Sequence, residues 1–358
     1  MATPPYTVTD VDINRVSESF VQSSAASFAV ASTIPKALCL DRFSGRSNTT
    51  SYDLASLSNA LVAGELMDWA PGVDPPSPIM LSEVDVSFSV NIRTTRSIVR
   101  PLRSGGTFEN RLTDLENNII PIQLSKIYQD QDVAFSTLCT NAAVFVEQAW
   151  TGTNAKGLDD ASDYSNQNPI KDIETPLTLI RPYTNFSGLE LRAYLSGKVA
   201  SVLAQHPAYT GGGSGSGVAS GLPRAAFIER FSALHGCKTY IFDNLINSAA
   251  YGAASTIVQT LNQTNASAVL FFGLFDTRGG FDLRSEATMS APDGAIVCGE
   301  SLAPRVDAFT DERKLVQEFW GRAGYSIYSP RGAAGGPAAD LGFFMRADTG
   351  GAATGIFT

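Results

Sequence analysis

An α+β fold with one projecting arm and one projecting loop is predicted by three features of the sequence. Val84, Val86, Phe88 and Val90 alternate with Asp85, Ser87 and Ser89, the period of two that marks a half-buried strand. Leu112, Leu115, Ile119 and Ile122 recur at three- and four-residue spacing, the stripe of an amphipathic helix. Beyond residue 188, helical stripes alternate with short apolar runs, so helices and strands share one body.

Residues 1 to about 25 are polar, rich in Ser, Thr and Val, and show no sustained periodicity; they read as an extended arm that a neighbour must order. The start, MATPPYTVTD, lacks the basic residues and apolar run of a signal peptide. Ala31 to Leu40, interrupted by Pro35, reads as a strand entering the body. Ser44 to Thr50 is turn chemistry, and Leu54 to Leu66 is a short apolar region. From Trp69 to Pro78, four prolines and a glycine forbid a helix and disfavour a paired strand. Residues 44 to 104 thus form a long two-stranded excursion. Two strands alone are marginal in water, so the excursion should lie against something else.

The helical pattern of residues 107 to 149 continues through Ile127, Ala134 and Leu138. Thr113 or Asp114 would cap it, Glu116 suits its first turn, and Pro121 should kink or split it. A polar loop runs from Thr151 to Asn168. Leu191, Leu195, Val199 and Leu203 suggest a helix that ends before Pro207, and the glycine-serine run at 211 to 217 reads as a flexible loop. Pro223 opens a helix carrying Ala226, Phe227, Phe231 and Leu234, and Gly236 stops it. Lys238 to Asn244 and Ala268 to Asp276 read as strands, Gly294 to Cys298 as part of a third, and Phe309 to Ile327 has mixed pattern.

Composition narrows the function. The 358 residues are 44% hydrophobic and 17% charged, which suits a folded chain with a substantial core. Asp and Glu outnumber Lys and Arg by 35 to 26, a net charge of −9 that argues against charge-driven binding to nucleic acid or anionic membranes. The uncharged stretch from Asn244 to Phe275 is rich in Asn, Gln, Ser and Thr. Its one strongly apolar run, Ala268 to Phe275, suits a buried strand and not a membrane span. Cys39, Cys139, Cys237 and Cys298 lie far apart in sequence and read as buried, reduced thiols in an aqueous compartment.

Catalytic signals are weak. His206 and His235 each sit at a helix end, outside any metal or nucleophile spacing, and read as structural. The glycine loop lacks the Gly-Lys-Ser/Thr of a phosphate-binding loop. Asp159, Asp160 and Asp163 read as a solvated face rather than a cation site, and Asp311 and Glu312 as the cap of a helix. No cofactor and no enzyme activity is predicted. One charge pattern stands out: Arg93, Arg96, Arg100 and Arg103 fall within eleven residues beside the predicted strand. They suit phosphate, carboxylates of another subunit, or a solvated strand edge. The acidity of the whole chain puts carboxylates ahead of nucleic acid.

The order of these parts resembles the major capsid proteins of tailed double-stranded DNA phages. Ile34-Pro35 leading to Gly45–Tyr52 looks like the start of that family's E-loop. Ala70-Pro71-Gly72 before Asp74-Pro75-Pro76 resembles a segment of one of its branches. Leu203 to Pro207 and Leu234 to Ile241 are similar to junctions in its axial domain. The resemblance implies the Hong Kong 97-like, or Johnson, fold. Its parts would be an N-terminal arm and first strand (1–43), an E-loop (44–104), a peripheral domain with a spine helix (105–165), an axial domain (166–308), and a return to the periphery (309–358).

It also implies a structural virion protein whose pentamers and hexamers close an icosahedral shell around the genome, assembled in the host cytoplasm. Arg93, Arg96, Arg100, Arg103, Trp69 and Pro71 become candidate inter-subunit contacts. The implied partners are further copies of the chain, a separate scaffolding protein, a portal, a cement protein and packaged DNA held without sequence-specific contact. No membrane partner is implied. Family members that weld their shells use an E-loop lysine, but no lysine occurs here between Lys36 and Lys126, so a non-covalent shell is expected. The few residues ahead of the match suggest an arm that is not cleaved. An encapsulin shell is the nearest alternative, set back by the long loop and the non-helical arm; a cement or tail protein and an unrecognised hydrolase come after it.

Overall fold

The structure, a computed structural model, describes residues 10–24, 28–34, 36–38, 48–55, 83–99, 118–151, 158, 164–185, 189–211, 221–242, 245–247, 257–259, 269–277, 281–282, 295–311, 316–329 and 341–346. In chain order its elements begin with α1 (Asp10–Ser24), α2 (Ala29–Thr33), β1 (Lys36–Leu38), β2 (Asn48–Ala55), β3 (Glu83–Val99) and α3 (Ile120–Cys139). Then come β4 (Val146–Gln148), α4 (Pro169–Ile180), β5 (Leu189–Ser196), α5 (Gly197–Gln205), α6 (Pro207–Thr210), α7 (Arg224–His235) and β6 (Lys238–Phe242). The chain continues with β7 (Leu245–Asn247), β8 (Ile257–Gln259), β9 (Val269–Asp276), β10 (Phe281–Asp282), β11 (Val297–Asp311), β12 (Val316–Tyr328) and β13 (Gly342–Arg346).

A six-stranded sheet has the order β10-β1-β11-β12-β3-β2. Its centre is the antiparallel pair β11 and β12, in register from Val297–Tyr328 to Asp311–Val316, with irregularities on either side of Leu302. Strand β3 has 17 residues, roughly 56 Å at ~3.3 Å per residue. Its second half pairs with β12, from Asn91–Tyr325 to Val99–Gln317. Its first half pairs on the opposite side with β2, from Glu83–Ala55 to Val90–Asn48. Past Val90 toward Glu83, β2 and β3 therefore form a ribbon with no third strand among the described residues. The two-stranded excursion expected from the sequence is present, and its proline-rich section lies outside the described residues.

Helix α3 lies across β12, β11 and β3 and carries α1 and α2. Ile120, Leu124, Ile127, Tyr128, Phe135 and Cys139 form its buried stripe. Pro121 neither kinks nor splits it. The helix starts at Ile120, so the proline stands in the first turn, where a missing N–H costs nothing. The suggested caps Thr113 and Asp114 lie outside the described residues. Where α3 crosses the sheet, Gln123 Nε2 donates to the Phe319 carbonyl (2.8 Å). A Cβ at Gly321 would sit 2.5 Å from Thr95 Oγ1, so only glycine lets helix and sheet approach this closely.

Residues 10–24, expected to be extended, are the helix α1. Ile13, Val16 and Phe20 are buried against Tyr128 of α3, Val306 of β11 and Phe319 of β12. Their three- and four-residue spacing is a helical stripe, diluted by polar neighbours. The strand expected over 31–40 is shorter: Ala29–Thr33 is a turn of helix, and β1 begins at Lys36. The buried Asp132 carboxylate accepts from Val30 N–H (3.0 Å), which satisfies a donor that the start of α2 leaves open.

A second sheet, β4-β13-β9-β5-β6, shares its core with the C-terminal half of α3. Central strand β9 buries Val269, Leu270, Phe271, Phe272, Leu274 and Phe275, the continuous apolar run of a strand covered on both faces. Phe135 of α3 meets Tyr194 of β5 edge-on at 5.1 Å, and Tyr194 stacks on Phe242 at 5.5 Å. The helix read from Leu191, Leu195, Val199 and Leu203 is instead a strand followed by a helix. A spacing of four keeps one face in either geometry, so Leu191 and Leu195 belong to β5 and Val199 and Leu203 to α5. Ser196 Oγ accepts from Val199 N–H (3.3 Å) and marks the change. Helix α7 follows Pro223 and stops at Gly236, whose φ of 61° is left-handed, as expected.

The mixed region 309–327 is the end of β11 and most of β12; Asp311 closes a strand and caps no helix. Glu312, Asp159, Asp160, Asp163 and Cys39 lie outside the described residues. Cys139, Cys237 and Cys298 are buried and form no disulfide, and burial pushes the Cys139 and Cys237 thiols up, the latter to about 12. Among the described residues no helix is long and apolar enough to cross a membrane.

The buried stripe of α1 makes a direct test. Phe20→Ala should cost about 2–4 kcal/mol in urea unfolding, while Val21→Ala, at 43% exposure, should stay within about 0.5 kcal/mol. Equal small effects at both positions would show that α1 does not pack as described.

Candidate functional site

Alternation along β3 sorts its arginines. Thr95 approaches Gln123 and Gly321 on the α3 side, and Arg93 joins that side at its margin. Ile92, Thr94 and Arg96 belong to the opposite face, where Trp320 and Arg322 of β12 and Leu302 and Arg305 of β11 line a shallow groove of about 400 Å³ with Ile92 and Thr94. Ile92 is 58% exposed and Phe309 44%.

Both described arginines have partners in their own chain. Arg93 Nη1 is 3.0 Å from Asp130 Oδ2 of α3, and its guanidinium lies over the Tyr325 ring at 5.5 Å. The Tyr325 hydroxyl donates to the same carboxylate oxygen. Burial, then that hydrogen bond, raises its pKa. Arg96 grips Glu318 with both Nε (3.1 Å) and Nη2, a bidentate geometry that raises the arginine further. Trp320 Nε1 donates to the same Glu318 (3.1 Å).

From there a ladder of cations and rings crosses the sheet. Arg96 lies 5.6 Å from the Trp320 ring centre, and Arg322 lies 5.4 Å from Trp320 and 5.0 Å from Phe309. Phe309 meets Trp320 edge-on at 5.9 Å. Asp307 serves Arg305 (3.4 Å) and Arg322 (3.6 Å). Three arginines thus share two carboxylates around two aromatic rings, next to exposed isoleucine. Isolated exposed ion pairs add little to folding, whereas a bidentate, networked set with half-buried carboxylates adds more. Tryptophan and arginine are, however, the side chains that dominate protein–protein contacts. Among the described residues of this face no nucleophile stands beside a base.

Of the residues singled out from the sequence, the structure places Arg93 and Arg96 on opposite faces of one strand. Arg100, Arg103, Trp69 and Pro71 lie outside the described residues. Sequence reasoning missed Glu318, Trp320, Arg322 and Phe309. Their signal was the alternation of Glu318, Trp320 and Arg322 with Phe319, Gly321 and Ala323.

If this face is surplus to folding, Arg96→Ala should leave the urea midpoint of the isolated chain unchanged. Gly321→Ala, on the other side of the same sheet, should cost about 1–3 kcal/mol because α3 must move away. A large loss at Arg96 would make the ladder part of the fold.

No protein-family model matches the sequence, and no curated protein does. Solved structures do match by shape. A phage-related protein from Bordetella bronchiseptica RB50 aligns over 95% of this chain and 98% of its own, at 12% identity and a TM-score of 0.58. The mature capsid of bacteriophage PhiM1 aligns over 88% and 86% at 10% identity and a TM-score of 0.45. The SrpI encapsulin of Synechococcus elongatus PCC 7942 aligns over 100% and 95% at 10% identity and 0.42. The first likeness carries the comparison, over nearly the whole of both chains. The chain shares its α+β fold with that phage-related protein.

Proposed function

We propose that the chain is a shell-forming structural protein, the major capsid protein of a tailed double-stranded DNA phage. The observation that carries this reading is the β2–β3 ribbon, which leaves its sheet at Val90 without a third strand among the described residues. Two strands do not hold themselves together in water. Such a ribbon is stable where a neighbouring copy supplies the missing contacts, and the arginine–aromatic ladder is a surface suited to that role. In this reading residues 44–104 are the E-loop, α3 is the spine helix, β5, β6 and β9 belong to the axial domain, and Arg93, Arg96, Arg100, Arg103, Trp69 and Pro71 contact other subunits. Ring-shaped pentamers and hexamers follow when different patches meet head to tail.

With a net charge of −9 the wall confines packaged DNA while mobile cations screen it. Scaffold, portal and cement proteins are the further partners of such a shell. With no lysine between residues 36 and 126, the shell is held without covalent cross-links.

One observation favours a second reading. The non-helical arm expected from the sequence told against an encapsulin compartment, and α1 is a helix. That distinction is gone, although α1 spends its apolar stripe on its own body. A single guest protein found inside purified shells by mass spectrometry would favour the compartment.

The register supplies a clean deletion. Asn48 and Val90 are paired, so residues 49–89 can be replaced by a two-residue Asn-Gly turn. The variant should keep its circular dichroism and melt cooperatively but form no particles. Particles of parental size would refute the role of the ribbon. On denaturing gels, shells of the parent chain should run as monomer; a ladder of covalent multimers would contradict the non-covalent shell.

A further inference from the structure

Two antiparallel ladders of the chain set like charges directly opposite one another. In the centre of the first sheet, Arg305 of β11 is registered against Arg322 of β12. In the ribbon, Asp53 of β2 is registered against Asp85 of β3. Opposed residues of an antiparallel pair stand ~4.5–5.5 Å apart at Cβ, where like charges work against the pairing.

Neither pair is balanced within its own surroundings. Among the described residues a single carboxylate, Asp307, serves both arginines, at 3.4 Å from Arg305 and 3.6 Å from Arg322. Both distances exceed the ~2.7–2.9 Å of a charge-assisted hydrogen bond, and the Arg305 side chain is 54% exposed. The aspartates have no cation close in sequence. Between Arg46 and Arg93 there is no Lys or Arg, while Asp53, Glu65, Asp68, Asp74, Glu83 and Asp85 are all acidic. Nor can the two pairs meet inside one chain. Arg322 is registered against Thr94, nine residues along β3 from Asp85, roughly 30 Å at ~3.3 Å per residue.

We propose that Asp53 and Asp85 of one copy seat on Arg305 and Arg322 of a second copy, so that the groove face receives a neighbour's ribbon. The contact presupposes the proposed shell and names the surface within it that holds the ribbon. Both pairs take their spacing from the same ladder geometry, so two carboxylates meet two guanidinium groups of matching separation. Docking relieves the repulsion in both ladders at once. Alternation also fixes how the copies lie. Position 85 shares a face with Arg93 and Thr95, the α3 side, whereas Arg322 lines the groove on the opposite face. Unlike faces therefore meet, and the copies overlap like roof tiles. Each has a ribbon to give and a groove to fill, the head-to-tail contact from which rings are built.

Charge reversal, read by light scattering across a concentration series, tests the contact. Asp53→Arg with Asp85→Arg exchanges one like-charged pair for another, as does Arg305→Glu with Arg322→Glu. Each double variant alone should stay monomeric where the parent chain assembles. Mixed one to one they should assemble again, because each ribbon then fits the other's groove. Assembly by either variant alone, or none in a mixture of the two with parental circular dichroism, would overturn the proposal. Asp53→Asn with Asp85→Asn separates a folding defect from a lost contact. It removes the repulsion inside the ribbon, so the lone chain should be at least as stable, yet its assembly threshold should rise at least about tenfold. An unchanged threshold would count against the contact. A parent chain that is monomeric at every concentration would overturn the proposed shell and this contact together. A parent that assembles beside indifferent variants would overturn the contact alone.

Discussion

Backbone hydrogen bonding along β3 is the constraint on which the account depends. Seventeen residues of strand meet β12 over nine of them and β2, on the other side, over eight. Each half thus has a partner on one side only among the described residues. Strand edges of this kind are liabilities in a lone molecule and templates in an assembly. The body can be closed and well packed while this one strand carries the chain's structure beyond it.

The body anchors that strand through α3. One end of the helix shares a small core with α1, Phe319 and Val306, and the other joins the aromatic cluster around Tyr194. Helix α3 packs on both sheets, and at Gly321 and Gln123 it lies tight against the first of them. Close packing makes such a joint stiff. The face left over, with Arg96, Trp320, Arg322 and Phe309, does no work for this core.

Much of this was legible in the sequence where one period dominated. The alternation at Val84 to Val90, the apolar run of β9, and the Pro223 and Gly236 limits of α7 each reported a single local rule. Legibility failed where two rules agreed or one was diluted. Leu191 and Leu195 satisfy helix and strand alike. Ile13, Val16 and Phe20 are three apolar residues spread over eight, too sparse to stand out from a polar arm. In β11 the irregularities around Leu302 shift the alternation, so a long strand read as mixed pattern. The arginines were visible as a cluster, but their partners come from α3 and β12, far away in sequence. Neither the Asp130 nor the Glu318 contact has a local signal.

The most direct test of the central claim is the mass of the purified chain across a concentration series, by light scattering with electron microscopy. The account predicts ring-shaped oligomers, about 230 kDa for six chains of 38.0 kDa, or closed shells above a sharp threshold. A 38.0 kDa monomer at every concentration, unchanged in stability when residues 49–89 are removed, would contradict it.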